Sequence, residues 1–428
     1  MSINNHIPKG ASYELRSERT KSSSVQYAGN SFERINSTDN ISQTLRLLHE
    51  GKLSTVASSK PDSIDDMMKQ AADLVRYGSP YDETFAEEAD IKQLNLVDET
   101  DMDAEQMIDV MGSLVADVQS IDSRLVVGGS LTHTVTDTAL QTSNGFNHSY
   151  RKSVWNCGAS LSFVQGDDRL HLWSSARSMG PSFDLKNLKD ELARKLEWAK
   201  NVVPFEAGAY PVIFTPGQLG FILNPVLQSL NGMAIHRKIS PWCDKLGQEV
   251  LDPRITLIDD GSLDKSWTSK PFDAEGTPTQ RNTLVQNGRA QDILLNRKVA
   301  AQLGKKSSGN ASAMGPAPNY LMMDAGNKIL NEMIKSIDCG MIIDGSMGAW
   351  SGNPYAGIVT GTISMGLKIV KGEIVGRVKD CMFTVNAFEH LAKHLIDCSA
   401  EREHEQLMRG AAVYLPYVML DEVVISAK

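Results

Sequence analysis

Residues 272–288 read Phe272-Asp-Ala-Glu-Gly-Thr-Pro-Thr-Gln-Arg-Asn-Thr-Leu-Val-Gln-Asn-Gly288. The closing Asn287-Gly288 pair lies between two short runs of strand-forming residues, 283–286 and 292–295. An Asn-Gly pair with such flanks is a strong hairpin signal, because tight hairpin turns need positive φ at their central residues. The segment therefore predicts a β-hairpin in the second half of the chain.

The sequence around this hairpin predicts a large β-rich domain, 206–428. Upstream, a strand at 211–215 precedes a helix at 218–230, which Pro225 is expected to kink or break. Downstream, apolar and β-branched runs separated by glycine turns are typical of strands. These predicted strands are 341–343, 358–365, 367–370, 373–375 and 382–385, and a helix at 387–397 follows them.

The first 205 residues predict two smaller domains. An N-terminal α/β domain, 1–80, has strands at 13–20, 24–27 and 44–48, then a helix with apolar residues at helical spacing and a capping box of Ser63 and Asp66. An acidic segment, 81–102, is expected to be an exposed linker. A central domain, 103–205, has a helix capped by Asp103 and Gln106, then a strand meander with turns at Asn144-Gly145 and Gly166-Asp167, and a second helix, 184–200. The fold class is therefore α+β with several domains.

Composition excludes several function classes. The chain of 428 residues has a formal net charge of −9 and a sequence pI near 5.6, with no run of basic residues, so nucleic acid is not an expected partner. No apolar stretch approaches the ~20 residues of a membrane span, and the N-terminus has no signal-peptide core. Five cysteines without a C-x-x-C pair favour reduced thiols and a cytoplasmic location.

His390 and His394 are the one histidine pair at i, i+4, and Cys398 follows one helical turn later. That spacing places both rings on one face of a helix and is compatible with zinc. Phe388, Leu391 and other apolar neighbours favour a structural or solvated role for the pair instead. No G-x-S-x-G elbow, Walker A loop or dinucleotide fingerprint is present.

Several fragments of the third domain, in order and spacing, resemble the TldD/PmbA family, known as modulators of DNA gyrase or microcin-processing metalloproteases. The resemblance covers nearly the whole chain. Its specific matches are Asp259-Asp260-Gly261, Asp273 to Pro278, Leu284 to Gly288, Ala300 to Gly304, Ser308-Gly309-Asn310 and Asn353-Pro354.

Catalytic members of that family carry a His-Glu-x-x-x-His helix followed by Leu-Glu-Gly-Asp and Val-Gly-Glu. Here the two following anchors read Leu230-Asn-Gly-Met233 and Leu246-Gly-Gln248, and they align without a gap. The degenerate metal-motif positions are then Leu223, Asn224 and Gln228. Leucine cannot ligate zinc, glutamine is a poor ligand, and asparagine cannot act as a general base. The family's cysteine ligand is also missing from 401–410, so no metal and no catalytic residue is expected in this chain.

The resemblance therefore implies the PmbA/TldE-like branch, a metal-free subunit that pairs with a zinc-bearing TldD-like chain. That partner would cleave peptides or unfolded proteins, and this chain would help to hold them. Extended peptides are often held at a free sheet edge. The residues around the hairpin are our first candidates for this role, although a purely structural role is equally compatible. They are Asp273, Glu275, Gly276, Thr277, Asn282 and Arg289.

Two alternatives remain open from the sequence. The chain could be a stand-alone peptide-binding or scaffold protein, forming a homodimer without protease activity. It could also be an enzyme with a different site, built from His390, His394 and Cys398. The substrate and the choice between self-pairing and a sister subunit are not encoded in these motifs.

Overall fold

Strands dominate the computed structural model, which describes residues 7–166, 168–406 and 411–427. The α+β class predicted from the sequence is confirmed. The chain divides into two compact units, one of Met1–Arg194 with Ser262–Pro278 and the other of Lys195–Gly261 with Thr279–Lys428. The domain boundaries predicted from the sequence stay a prediction. In the part of the chain that is described, no helix is both long and apolar enough to cross a membrane.

The first unit is built on one antiparallel sheet of seven strands, in the order β4-β3-β2-β1-β5-β6-β7. Its strands are long and are joined by short turns, including one at Gly29-Asn30 and the predicted turn at Asn144-Gly145. The strands are β1 (Ser12–Ala28), β2 (Ser31–His49), β3 (Lys52–Ser58), β4 (Ser79–Pro80), β5 (Val126–Thr142), β6 (Asn147–Gln165) and β7 (Asp168–Ser178). Asp167, the second residue of a predicted turn, lies outside the described residues.

Two helices, α1 (Ile64–Leu74) and α2 (Ala104–Gln119), pack on one face of this sheet. Buried apolar residues occupy alternate positions along the central strands, so they all lie on that face. The apolar sides of α1 and α2 pack against them. The predicted capping box of α2 is confirmed, because Asp103 accepts from Gln106 N and Gln106 accepts from Asp103 N. The predicted capping box of α1 is wrong: Ser63 Oγ donates instead to Lys60 O and Gln43 Oε1.

Two predictions for the N-terminal region need correction. β1 is one strand rather than two, and β2 begins at residue 31 rather than at 44. Residues 31–40 are exposed on both faces, so they lack the polar–apolar alternation that marks a half-buried strand. The segment 81–102 is also not uniformly exposed, since Phe85, Ala86 and Leu96 are buried within the first unit.

A larger sheet forms the second unit, in the order β11-β10-β9-β14-β20-β18-β16-β15-β8. β8 pairs with both β15 and β20, so five of its strands close into a ring. The strands are β8 (Gly208–Phe214), β9 (Leu257–Asp260), β10 (Arg281–Gln286), β11 (Arg289–Ala290), β14 (Tyr320–Met323), β15 (Cys339–Met347), β16 (Ile358–Val370), β17 (Glu373–Val378), β18 (Cys381–Asn386), β19 (Leu395–Gln406) and β20 (Ala412–Ala427), with a separate pair, β12 (Ala311–Ser312) and β13 (Gly315–Pro316).

Helix α4 lies in the core of the second unit, against β8, β15, β16, β19 and β20. Pro216 begins it at a position where a missing N–H costs nothing, and Pro225 lies inside it. Of the α-helices that follow α2, α3 and α4 are the longest, and α3 contains the boundary between the two units in the chain. The helices after α2 are α3 (Leu185–Ala199), α4 (Pro216–Ser229), α5 (Gly232–His236), α6 (Arg297–Gln302), α7 (Leu330–Lys335) and α8 (Ala387–Lys393).

Two elements near the predicted sites differ from expectation. The hairpin turns at Asn287-Gly288 as predicted, but its second strand is only Arg289–Ala290, and 292–295 form no strand. Helix α8 ends four residues early, because Leu395 already pairs with Leu420 as the first residue of β19. Cys398 therefore lies on a strand, not on the helix that carries His390.

Candidate functional site

Helix α4 carries the three degenerate metal-motif positions. Leu223 is fully buried in the apolar core of the second unit. Asn224 and Gln228 are half-buried and lie one turn apart on another face of the helix. Neither amide side chain has a hydrogen-bond partner among the described residues. Leu223 thus packs in the core, and the other two positions carry neutral amide side chains.

Polar groups surround the first turns of α4. Gln218 accepts a hydrogen bond from Ser346 Oγ at 2.6 Å. Phe221 packs against Trp350 with ring centroids 6.0 Å apart. A β-carbon at Gly217 would lie 3.5 Å from the Glu405 carboxyl carbon, so this carboxylate is close to the helix N-terminus. A negative charge there is stabilised by the helix dipole.

The strand next to α4, β19, places His404 between two aromatic rings. Its ring lies 4.4 Å from that of Tyr414 and 5.9 Å from that of Tyr320, and Nδ1 is 3.1 Å from the Tyr320 hydroxyl. Burial lowers the pKa of His404, with a further contribution from Arg402. The neighbouring Glu403 accepts from the Tyr417 hydroxyl at 2.6 Å. These contacts hold β19 against β20 by stacking and hydrogen bonding.

The donor set of α4 does not fit zinc. A catalytic zinc needs three side-chain donors and an open position for water, with a carboxylate beside it. Leu223 offers no lone pair, and the amides of Asn224 and Gln228 are weak donors. Residues 407–410, part of the segment that lacks the family's cysteine, lie outside the described residues.

The alternative metal site at His390, His394 and Cys398 is not assembled either. His390 directs Nδ1 to Asn386 O at 2.9 Å and Nε2 to Glu422 O at 3.4 Å, so both nitrogens face carbonyl acceptors. Burial raises the pKa of the Cys398 thiol to about 12, which disfavours the thiolate that metals bind. Within 7–166, 168–406 and 411–427, no group of three or more His, Cys, Asp or Glu residues could hold a metal ion.

Asp259, one of the family-like residues, is the centre of a buried polar network. It accepts from the backbone N–H of Asn319 at 2.6 Å and of Tyr320 at 2.9 Å. Its other oxygen accepts from Asn310 Nδ2 at 2.6 Å and Asn319 Nδ2 at 3.3 Å. Asn282, a candidate peptide contact, is buried and donates to Asn310 Oδ1 and Ser308 O. The network ties the loop at 308–310 to β9 and β10.

The loop before the hairpin is held by its own first residue. Asp273 is buried, and its Oδ1 accepts from the N–H groups of Glu275 and Thr277, each at 2.9 Å. Gly276 has a φ of +78°, and a β-carbon there would lie 2.9 Å from Ala86 Cβ. The hydrogen bonds of Asp273 and the close packing at Gly276 hold this loop in one conformation within the first unit.

The six candidate peptide contacts are not brought together on one strand. The four from Asp273 to Thr277 belong to the first unit, and Asn282 and Arg289 belong to the second. Arg289 is exposed, and it binds Glu249 at 2.7 Å and Gly247 O, which fixes the turn that aligns with Val-Gly-Glu. On the β11 side of β10, residues 281–283 have no strand partner among the described residues, so a short edge remains.

Sequence reasoning overlooked Lys152, a half-buried amine on β6. Burial, together with the charge of Lys270, lowers its pKa to about 8. A lysine within an otherwise regular strand pattern was the available signal, but the second lysine is remote in the sequence.

The comparisons with known proteins agree with this architecture. Residues 207–427 match the PmbA/TldA metallopeptidase C-terminal domain, and residues 13–75 match PmbA/TldA metallopeptidase domain 1. Over 391 residues the chain is 24% identical to metalloprotease PmbA of Escherichia coli, covering 87% of this chain and 84% of that protein. It is 23% identical over 394 residues to a PmbA homolog of Haemophilus influenzae, covering 88% and 83%.

A solved structure shares the fold over almost all of its length. TldE from Thermococcus kodakarensis superposes with a TM-score of 0.90 at 20% identity, covering 97% of both chains. Since the match to the C-terminal domain spans more than half of the sequence, this chain belongs to the TldD/PmbA family of metalloprotease-related proteins.

Proposed function

We propose that this chain is a metal-free, PmbA/TldE-like subunit. In this role it pairs in the cytoplasm with a zinc-bearing TldD-like chain and holds peptides or unfolded proteins while the partner cleaves them. One observation carries the proposal: Leu223, Asn224 and Gln228 stand on α4 where the family's zinc ligands and general base would be. None of these side chains can activate a metal-bound water.

The packing of α4 supports a retained structural role. Leu223 contributes to the apolar core of the second unit, and its burial stabilises the helix. Five free cysteines are compatible with a reducing compartment.

Peptide contacts are proposed for the exposed or half-buried candidates, Glu275, Thr277 and Arg289. Asp273, Gly276 and Asn282 would instead shape the loop and the hairpin that present them, since all three are buried. An extended peptide can pair with the short free edge of β10 at 281–283.

Purification of the chain alone and with a co-expressed TldD-like relative tests the proposal. We expect less than about one-tenth zinc per chain for the protein alone, and about one zinc per pair with peptide cleavage for the complex. The matched control is a complex in which the partner's zinc ligand histidines are replaced by alanine, which should be inactive. Peptide cleavage by the isolated chain that a chelator abolishes would contradict the proposal.

The stand-alone alternative predicts a different outcome. In that case the chain would elute as a homodimer, would ignore the TldD-like relative, and would bind peptides without cleaving them. Size-exclusion chromatography with light scattering on the mixture separates the two.

A further inference from the structure

Lys152 faces away from the two helices of the first unit. In the sheet, Lys152 of β6 pairs with Thr136 of β5, and Thr136 pairs on its other side with Thr20 of β1. The helix-facing residues of these strands are the alternate ones, such as Trp155 and Leu131. Lys152 therefore lies on the opposite face of the sheet.

That face is rich in hydroxyl groups. Between positions 132 and 138, all residues of β5 that lie on this face are threonines. Ser22 of β1 contacts Thr134 through their hydroxyls at 3.2 Å. The threonine row therefore offers hydrogen-bonding groups to a polar ligand, while the apolar cluster of Leu140, Phe146 and Phe272 lies towards the end of β5 on the same face.

The segment 266–272 covers part of this face and contacts Lys152. Lys152 Nζ donates to Ser269 O at 3.3 Å, the one polar contact of this amine among the described residues. Ser269 is fully buried, and its hydroxyl has no hydrogen-bond partner in the part of the chain that is described. Phe272 packs edge-on against Tyr150 at 5.2 Å, which fixes the segment over the sheet.

The electrostatics at Lys152 are unbalanced. Burial and the charge of Lys270 lower the pKa of its amine to about 8, while the smaller effect of the Glu18 charge acts in the opposite direction. No carboxylate forms an ion pair with Lys152 among the described residues. The amine of Lys152 and a buried hydroxyl donor without an acceptor together make an environment that an added anion would stabilise.

We propose that Lys152, in contact with Ser269, forms an anchoring site for a carboxylate group of a bound peptide. This inference rests on the proposed function, because it assumes that the chain holds peptides. A carboxylate carries a single negative charge and accepts several hydrogen bonds, which matches ammonium and hydroxyl donors. The charge of Glu18 disfavours a dianion such as phosphate more strongly than a monoanion.

Peptide binding by fluorescence anisotropy tests the site on the full chain. Three versions of one labelled peptide of Gly, Ser, Ala and Thr are compared: a C-terminal carboxylate, a C-terminal amide, and the amide with one internal Glu. We expect the free-carboxylate peptide to bind about tenfold or more tightly than the amide, the gain typical of a charge-assisted hydrogen bond. Tighter binding of the internal-Glu version instead would assign the site to acidic side chains.

Variants separate the site from general peptide binding. Lys152→Met should abolish the preference for the carboxylate without changing binding of the amide, and Lys152→Arg should restore most of it. Lys21→Met is the matched control, because Lys21 is an exposed lysine on the other face of the same sheet. We expect it to leave both affinities unchanged.

The outcomes distinguish the inference from the function on which it rests. Equal binding of all three peptides to the wild-type chain, or a carboxylate preference that survives in Lys152→Met, overturns the anchoring site and leaves peptide holding intact. Binding of none of them to the chain or to its complex with a TldD-like subunit overturns both. Should Lys152→Met fail to fold, the pH profile decides: the preference must decline as pH rises above about 8, where the amine loses its charge.

Discussion

Asp259 in the second unit and Lys152 in the first are both charged residues removed from water, but their surroundings are opposite. Asp259 accepts four hydrogen bonds from two asparagine amides and two backbone N–H groups. Lys152 has one long contact to a carbonyl and a second lysine nearby. A buried charge with complete hydrogen bonding stabilises its fold, whereas one with an incomplete set is a candidate for binding.

The largest expected effect is at Asp259. Asp259→Leu leaves four donors in a dry interior without an acceptor, so we expect a loss of about 3–5 kcal/mol in the free energy of unfolding. Urea denaturation followed by circular dichroism measures it. Asp73→Leu, at an exposed helix position, is the control and should change stability by less than about 1 kcal/mol. If Asp259→Leu costs no more than this control, the hydrogen bonds to Asp259 do not stabilise the fold.

Gly276 gives the next largest effect. Gly276→Ala adds a methyl group 2.9 Å from Ala86 Cβ in a left-handed conformation, so we expect about 2–3 kcal/mol of destabilisation. Gly51→Ala is matched, since its φ is +70° and nothing lies within 4 Å of the added carbon. Its cost should be the backbone strain alone, about 1 kcal/mol. Equal losses for the two variants would mean that the loop at 273–277 is free to move.

Replacing Lys152 should raise the free energy of unfolding rather than lower it. The folded pKa of about 8 is below the usual 10.5, so the unfolded chain holds more protons between these values and stability rises with pH there. The cost of the buried charge is fully present below pH 8. Lys152→Met should therefore stabilise the chain at pH 7 by about 1–2 kcal/mol. The gain should shrink towards pH 10, as thermal unfolding across pH can measure; a pH-independent difference would contradict the assigned pKa.

The smallest effects are expected on α4. Asn224→Ala and Gln228→Ala remove half-buried amides that have no hydrogen-bond partner among the described residues, so each should change the free energy of unfolding by less than about 0.5 kcal/mol. Leu223→Ala, on the same helix, should cost about 2–5 kcal/mol because it opens a cavity in the core. Chemical denaturation compares the three. A large loss of stability in either amide variant would show that the amide side chain makes a stabilising contact.

The sequence predicted elements whose signals are local. The Asn144-Gly145 and Asn287-Gly288 turns have side chains or glycines that suit positive φ, and α2 has both apolar periodicity and a capping box. Such features depend on neighbours only a few residues away. The helix predicted at 218–230 is present as α4 at Pro216–Ser229.

Elements determined by distant contacts were missed. The first part of β2 is exposed on both faces, so only its pairing with β1 makes it a strand. Helix α8 ends where β20 offers Leu420 as a partner to Leu395, which is twenty-five residues away in the sequence. Lys152 and Lys270 are related only by the fold. The candidate peptide-contact residues stay a prediction, and their division between two units could not be inferred from the sequence.

The ring formed by β8, β15, β16, β18 and β20 has a consequence for the motif helix that packs on it. Each of these strands is bonded to a neighbour on both sides, so none can separate without breaking two ladders at once. Local opening needs a free edge or a terminus, so the amide protons of these strands and of α4 should be among the last to exchange with deuterated solvent. The ring thus holds α4 in place whatever side chains occupy its half-buried positions 224 and 228.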